Sequence, residues 1–235
     1  MDVLTDDHER EQVVRKWWHE NWKPIALGIV IALGGLIGFR QYQAYTLEKS
    51  QQQAYALYQM QYKLSVSPKD TQKDAEAYLK EHQDIYGALL ALDLAAYESS
   101  NEQFEQALNH VDFAVKNGGK LVIPAASLSK ARIQTQLKQY DDAVKTLDGV
   151  NSDAYAVEKA EIKGDVLLAK GDRNAARDAY REALKLCEDK KVQINPLLAM
   201  KLDDVAKAGD RPAFEEAREH NLSLQRAETD GSLAK

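Results

Sequence analysis

The chain has 235 residues, 31 Lys and Arg against 37 Asp and Glu, a formal charge of −6 and a single cysteine, Cys187. That is enough for one folded domain beside a membrane segment, while an intrachain disulfide is excluded, as is a lipoprotein anchor, which needs a cysteine directly after the signal. Residues 1–40 hold five basic and six acidic side chains, leaving 26 basic and 31 acidic, an acidic remainder that repels phosphate and argues against nucleic acid as a partner.

Residues 1–23 read as a polar leader of mixed charge ending in Trp17, Trp18, Trp22 and Lys23. The next stretch, Pro24 to Phe39, is PIALGIVIALGGLIGF, with no charge between Lys23 and Arg40. At helical rise its 16 residues cover about 24 Å. Flanking aromatic rings, with Lys23 and Arg40 reaching outward, extend it toward a hydrocarbon core of roughly 30 Å. The stretch predicts one transmembrane helix over 24–40. Two other readings compete. A core helix of a soluble protein normally keeps a polar stripe, which neither face has, and a cleavable signal needs a small-x-small site that Arg40 to Thr46 does not offer. An uncleaved signal anchor is favoured.

Arg10, Arg15, Lys16 and Lys23 precede the span, against Arg40 and Lys49 after it. The bias predicts a cytoplasmic leader and a body across the membrane, in the periplasm if the cell is Gram-negative. Within the span, Gly28 with Ala32 and Gly34 with Gly38 form two small-x3-small pairs, which let a partner helix approach closely in lipid, although glycine is common in such helices anyway.

Past Arg40, Tyr55, Tyr58 and Tyr62, and Leu57, Met60 and Leu64, recur at helical spacing, so a helix is expected to end near Ser65, either continuous with the membrane span or separate from it. Ser67 before Pro68 marks the start of a second helix over about 69–82. From Tyr86 to about Leu186 three segments superpose, 90–115, 129–150 and 160–184. Small residues recur at Ala95, Ala131 and Gly164 and at Ala107, Ala143 and Ala176, in both sets 36 and then 33 residues apart, with Val111, Leu147 and Tyr180 in the same register. Turn signals fall mid-unit at Ser100-Asn101, Lys138-Gln139 and Gly171-Asp172, while Asn117-Gly118-Gly119 ends a helix and Pro124 is expected to begin the next. Helix, turn and helix repeated at this period predict an all-α solenoid; an ordinary helical bundle is the other reading.

These residues resemble the tetratricopeptide repeat, in which a small residue on the first helix meets an alanine on the second, followed by an aromatic residue and another alanine. Gly164, Leu167, Gly171, Ala176, Tyr180 and Ala183 match that pattern. Glu98 and Gln134 stand where an aromatic side chain is usual, and the closing proline is absent from all three units. Beyond them, a helix over about 196–208 is expected to cap the stack, 211–226 to form a polar helical segment, and ETDGSLAK to be disordered.

His8, His19, His82, His110 and His220 lack metal-ligand spacing, and no nucleophile, phosphate-binding or dinucleotide motif is present. Asp141-Asp142 and Asp203-Asp204 read as helix starts and solvated faces, and Cys187 as a packed thiol. No enzyme activity, metal or cofactor is expected. By the repeat pattern, a concave protein-binding face would include Leu92, Ala96, Leu128, Arg132, Thr135, Glu161, Asp165 and Leu168.

The chain from about Glu9 to Lys207 resembles the bacterial ancillary SecYEG translocon subunits, the YfgM family. The span ending LIGFR, the stretch IYGALLALDLA, the LKQYDDAVKTLD turn and KGDVLLAKGDRNAARDAY carry the likeness. It implies a single-pass inner-membrane protein with leader 1–23, anchor 24–40, a tetratricopeptide-like periplasmic domain 41–209 and a polar extension 210–235. It also implies association with SecYEG and the periplasmic chaperone PpiD, and help in passing newly translocated, unfolded clients to periplasmic chaperones. A tethered adaptor in envelope stress signalling or outer-membrane assembly is the alternative.

Overall fold

A computed structural model describes residues 3–233, with side chains from residue 11 to 227 and at 229. The described residues form ten α-helices, a short 3-10 turn at Asp153–Tyr155 and no strand. They are α1 (Val3–Val66), α2 (Pro68–Glu81), α3 (Ile85–Ser100), α4 (Phe104–Asn117), α5 (Gly119–Gln136), α6 (Tyr140–Asp148), α7 (Ala156–Lys170), α8 (Arg173–Lys190), α9 (Pro196–Asp204) and α10 (Ala213–Leu233). The chain divides into two compact units, 1–56 and 57–235.

In the first unit the predicted span lies within α1, which starts well before Pro24 and continues past Ser65 to Val66. Its apolar window is long enough to cross a membrane, and none of it is buried by protein. Leu27, Val30, Ile31, Leu33 and Ile37 are all more than half exposed, an arrangement that water penalises and hydrocarbon does not. A core helix of a soluble protein would be covered. A Cβ added at Gly28, Gly34 or Gly38 would meet open space.

The second unit is a stack of helix pairs. Its local signals explain most of the boundaries. Asp84 accepts from the Tyr86 and Gly87 amides, Asp172 from Ala175 and Asn195 from Leu197, fixing the starts of α3, α8 and α9. Ser67 stands at the start of α2 with Pro68 at its first position, but its hydroxyl makes no capping bond. α5 begins at Gly119 rather than at Pro124, because Gly119 at φ 62° reverses the chain at once. Pro124 therefore lies inside the helix, where its missing N–H leaves the carbonyl of exposed Lys120 to water.

The repeat is visible in three equivalent turns. Glu102, Lys138 and Gly171 adopt φ 62°, 60° and 94°, and they lie 36 and then 33 residues apart. Each donates its N–H three residues back, to Ser99, Thr135 and Leu168, while the following residue bonds five back, to Glu98, Gln134 and Leu167, at 2.8–2.9 Å. These paired bonds satisfy carbonyls that a helix end would otherwise leave open. The same device at Lys191 closes α8.

Packing follows the same register. Ala107, Ala143 and Ala176 are completely buried, and Val111, Leu147 and Tyr180 fill the hollows beside Ala95, Ala131 and Gly164. A Cβ at Gly164 would stand 2.4 Å from the Tyr180 ring, so the third unit fits its aromatic side chain only through glycine. α9 is shorter than expected, ending at Asp204. The expected polar segment is a longer helix, α10, reaching Leu233 where disorder was expected from Glu228; residues 234 and 235 lie outside the described residues. Ala213 and Ala217 join the cluster of Leu198, Leu202 and Val205. Asp203 accepts from the Ala213 and Phe214 amides, and Asn221 brackets the Ile194 backbone, so α10 is held to the end of the stack.

Candidate functional site: the face of α3, α5 and α7

Residues predicted to bind fall into three environments. Leu92, Ala96 and Arg132 line one groove of about 590 Å³ between α3 and α5. Small side chains at Ala95, Ala96, Ser99 and Ser129 create the space, and Val111 and Ile133 form its buried floor. Arg132 is exposed but engaged, its guanidinium 2.8 Å from Glu158. Thr135 is half-buried and donates its hydroxyl to the Ala131 carbonyl at 2.7 Å, the back-bond expected of a helical threonine.

Leu128 differs from expectation: it is 1% exposed and belongs to the core with Ala131, Leu147 and Ile162. α5 packs against both α6 and α7, which turns that position inward.

Glu161, Asp165 and Leu168 form a third environment apart from the groove. The Lys201 ammonium of α9 reaches Glu161 at 2.7 Å and Asp165 at 2.9 Å, and the Tyr180 hydroxyl donates to Asp165 at 2.8 Å. Burial lowers the Lys201 pKa, but the bonds to Glu161 and Asp165 outweigh it and the net shift is upward. Burial, and then the Asp165 carboxylate, pushes the Tyr180 hydroxyl up, so it stays a donor. The two carboxylates are thus satisfied from within the chain. Leu168 beside them is 38% exposed.

A second depression of about 370 Å³ adjoins the groove through the shared Ala96. Gln61 and Leu64 from the end of α1, with Asp93 and Tyr97 of α3, line it. Gln61 donates to Asp93 at 2.7 Å. Burial pushes the Asp93 carboxyl up and the Gln61 bond offsets part of that. Sequence reasoning did not find this pair, because a glutamine and an aspartate 32 residues apart carry no local signal.

The two departures from the repeat pattern are buried polar couples. Glu98 is completely buried; its carboxylate lies 2.7 Å from His110 Nδ1, while His110 Nε2 lies 2.9 Å from Glu76. Gln134 accepts from the Thr146 hydroxyl at 2.8 Å. Both couples span 12 residues, and at the same spacing the third unit places Leu167 and Ala179. Cys187 is 2% exposed and burial pushes its thiol up, away from the reactive thiolate.

A family model described as a tetratricopeptide repeat-like domain matches residues 15–207. The chain belongs to that family. The resemblance to ancillary translocon subunits also holds. The chain is 28% identical over 207 residues to the ancillary SecYEG translocon subunit of Escherichia coli (strain K12), covering 88% of this chain and all of that protein. It is 29% identical over 185 residues to the protein of the same name from Aggregatibacter actinomycetemcomitans, covering 78% and 91%. The Haemophilus influenzae protein of that name is 27% identical over 187 residues, covering 78% and 91%. A solved structure, the MamA RS-1 ArsTM double mutant, superposes with a TM-score of 0.53 over 75% of this chain and 96% of the other at 15% identity, a likeness of fold.

Proposed function

We propose that the chain is a non-enzymatic, membrane-anchored scaffold at the SecYEG translocon that helps pass newly translocated proteins to periplasmic chaperones. The observation that carries this reading is similarity across the whole length of a named ancillary SecYEG translocon subunit. The uncovered apolar stretch of α1 supports an anchor, and Arg15, Lys16 and Lys23 before it support a cytoplasmic leader with the helical body in the periplasm. Membrane confinement raises the concentration of the body relative to partners that are themselves membrane-bound, the channel and the chaperone PpiD, so modest contacts suffice. Gly28, Ala32, Gly34 and Gly38 are the surface by which another span would pack against it. The groove on α3 and α5 is the surface offered to clients.

Gentle solubilisation of membranes and capture of the full-length chain tests this. SecYEG should come with it, and photocrosslinkers at Gly34 or Gly38 should reach another membrane helix. Recovery of the full-length chain from cytosol, or capture without the channel, overturns the reading.

A further inference from the structure

The two depressions that meet at Ala96 differ in chemistry. The larger, about 590 Å³, is within the size range of ligand sites; Ala95, Ala96, Ser99 and Ser129 leave space between Leu92 and Phe104, over the apolar floor of Val111 and Ile133. Such a space over an apolar floor accepts a large apolar side chain. The smaller one contains Asp93, whose carboxylate is half-buried and takes its side-chain hydrogen bond from the neutral amide of Gln61. A part-desolvated carboxylate with a neutral donor gains most from an arriving cation.

We propose that the two depressions together bind an extended polypeptide segment, a large apolar side chain entering between α3 and α5 while a nearby lysine or arginine reaches Asp93. The proposal deepens, and rests on, the reading that the helical body holds client polypeptides. Charge supports this occupant over an acidic one. The chain beyond residue 40 carries 26 basic and 31 acidic side chains, and Glu102 stands exposed on the rim of the larger depression. Arg132, the cation of that rim, is already paired with Glu158. An acidic segment would meet like charge, and a basic one would meet Asp93 and Glu102. The site is bounded along the stack, since Lys201 already satisfies the acids of α7.

The test is fluorescence anisotropy on the full chain in nanodiscs with a labelled Gly/Ser peptide carrying one Phe and one Lys separated by a single residue. Replacing Phe by Ala, or Lys by Gln or Glu, should each weaken binding about tenfold or more. In Asp93→Asn the Lys and Gln peptides should bind alike while the Phe dependence persists, and Ser99→Trp, which fills the apolar depression, should remove the Phe dependence. Both variants are checked for unchanged helicity. A Glu peptide bound as tightly as the Lys one, a Lys preference surviving Asp93→Asn, or a Phe dependence surviving Ser99→Trp overturns the proposal. Capture of SecYEG from membranes is scored in parallel. Channel capture without peptide preference sinks the docking site alone, and peptide preference without channel capture sinks the translocon reading alone.

Discussion

Gly164 is the residue on which the third unit turns. Its missing side chain lets the Tyr180 ring lie against the α7 backbone with its hydroxyl on Asp165. Gly164→Ala should cost about 1–3 kcal/mol in denaturant unfolding, by overpacking. The penalty should shrink in a Tyr180→Leu background, since the two sites share one contact. Asp93 gives a pH dependence of defined sign. A carboxyl held above its ordinary range binds a proton more tightly in the fold, so it stabilises at low pH and that contribution is lost as pH rises through the raised value. The stability gained by Asp93→Asn should therefore be larger at about pH 7 than at about pH 4. The buried Glu98 depends on His110 for a hydrogen-bond partner. His110→Ala should cost about 2 kcal/mol or more, because it strips a partner from a fully buried carboxylate. Glu98→Leu with His110→Ala, which copies the Leu167 and Ala179 of the third unit, should be the more stable of the two variants; thermal melts of both decide it.

At the scale of the element, the turns show how far sequence reading reaches. Gly171 announces its left-handed conformation, whereas Glu102 and Lys138 adopt the same conformation with ordinary side chains. Replacing either by Gly should stabilise by about 0.5–1 kcal/mol, since the strain of a Cβ at positive φ is removed, and chemical denaturation measures it. The helix pairs were legible because alanines recurred at fixed spacing where two backbones cross, a constraint that acts within each unit. The groove was legible in part. Leu92 and Ala96 share it because they stand one helical turn apart on α3, with Arg132 on the wall that α5 supplies, but Leu128 is drawn inward by the combined packing of α6 and α7. Lys201 was missed because its partners lie 36 and 40 residues away on another helix, and charge alone names no partner at that range. The end of α10 was missed for a different reason. Its burial rests on two alanines, Ala213 and Ala217, which add little hydrophobic pattern.

For the whole molecule, α10 extends beyond residue 207, where the family match ends. It covers Leu198, Leu202 and Val205, so the stack ends on a helix whose inner face is apolar. A chain truncated after Lys207 should lose about 2–4 kcal/mol through exposure of that cluster, visible as an earlier thermal transition. Helices before α9 should keep their ellipticity, because each pair in such a stack rests chiefly on its neighbours.

The lysine that joins α9 to α7 has a consequence for how much of this body is open to others. One ammonium quenches two carboxylates on adjacent turns, so the negative strip along α7 is spent internally. Reversing that single charge would leave Glu161 and Asp165 without their cation and add them to the acidic surface of the body. Where that acidic surface stops is thus decided by a side chain that arrives late in the polypeptide.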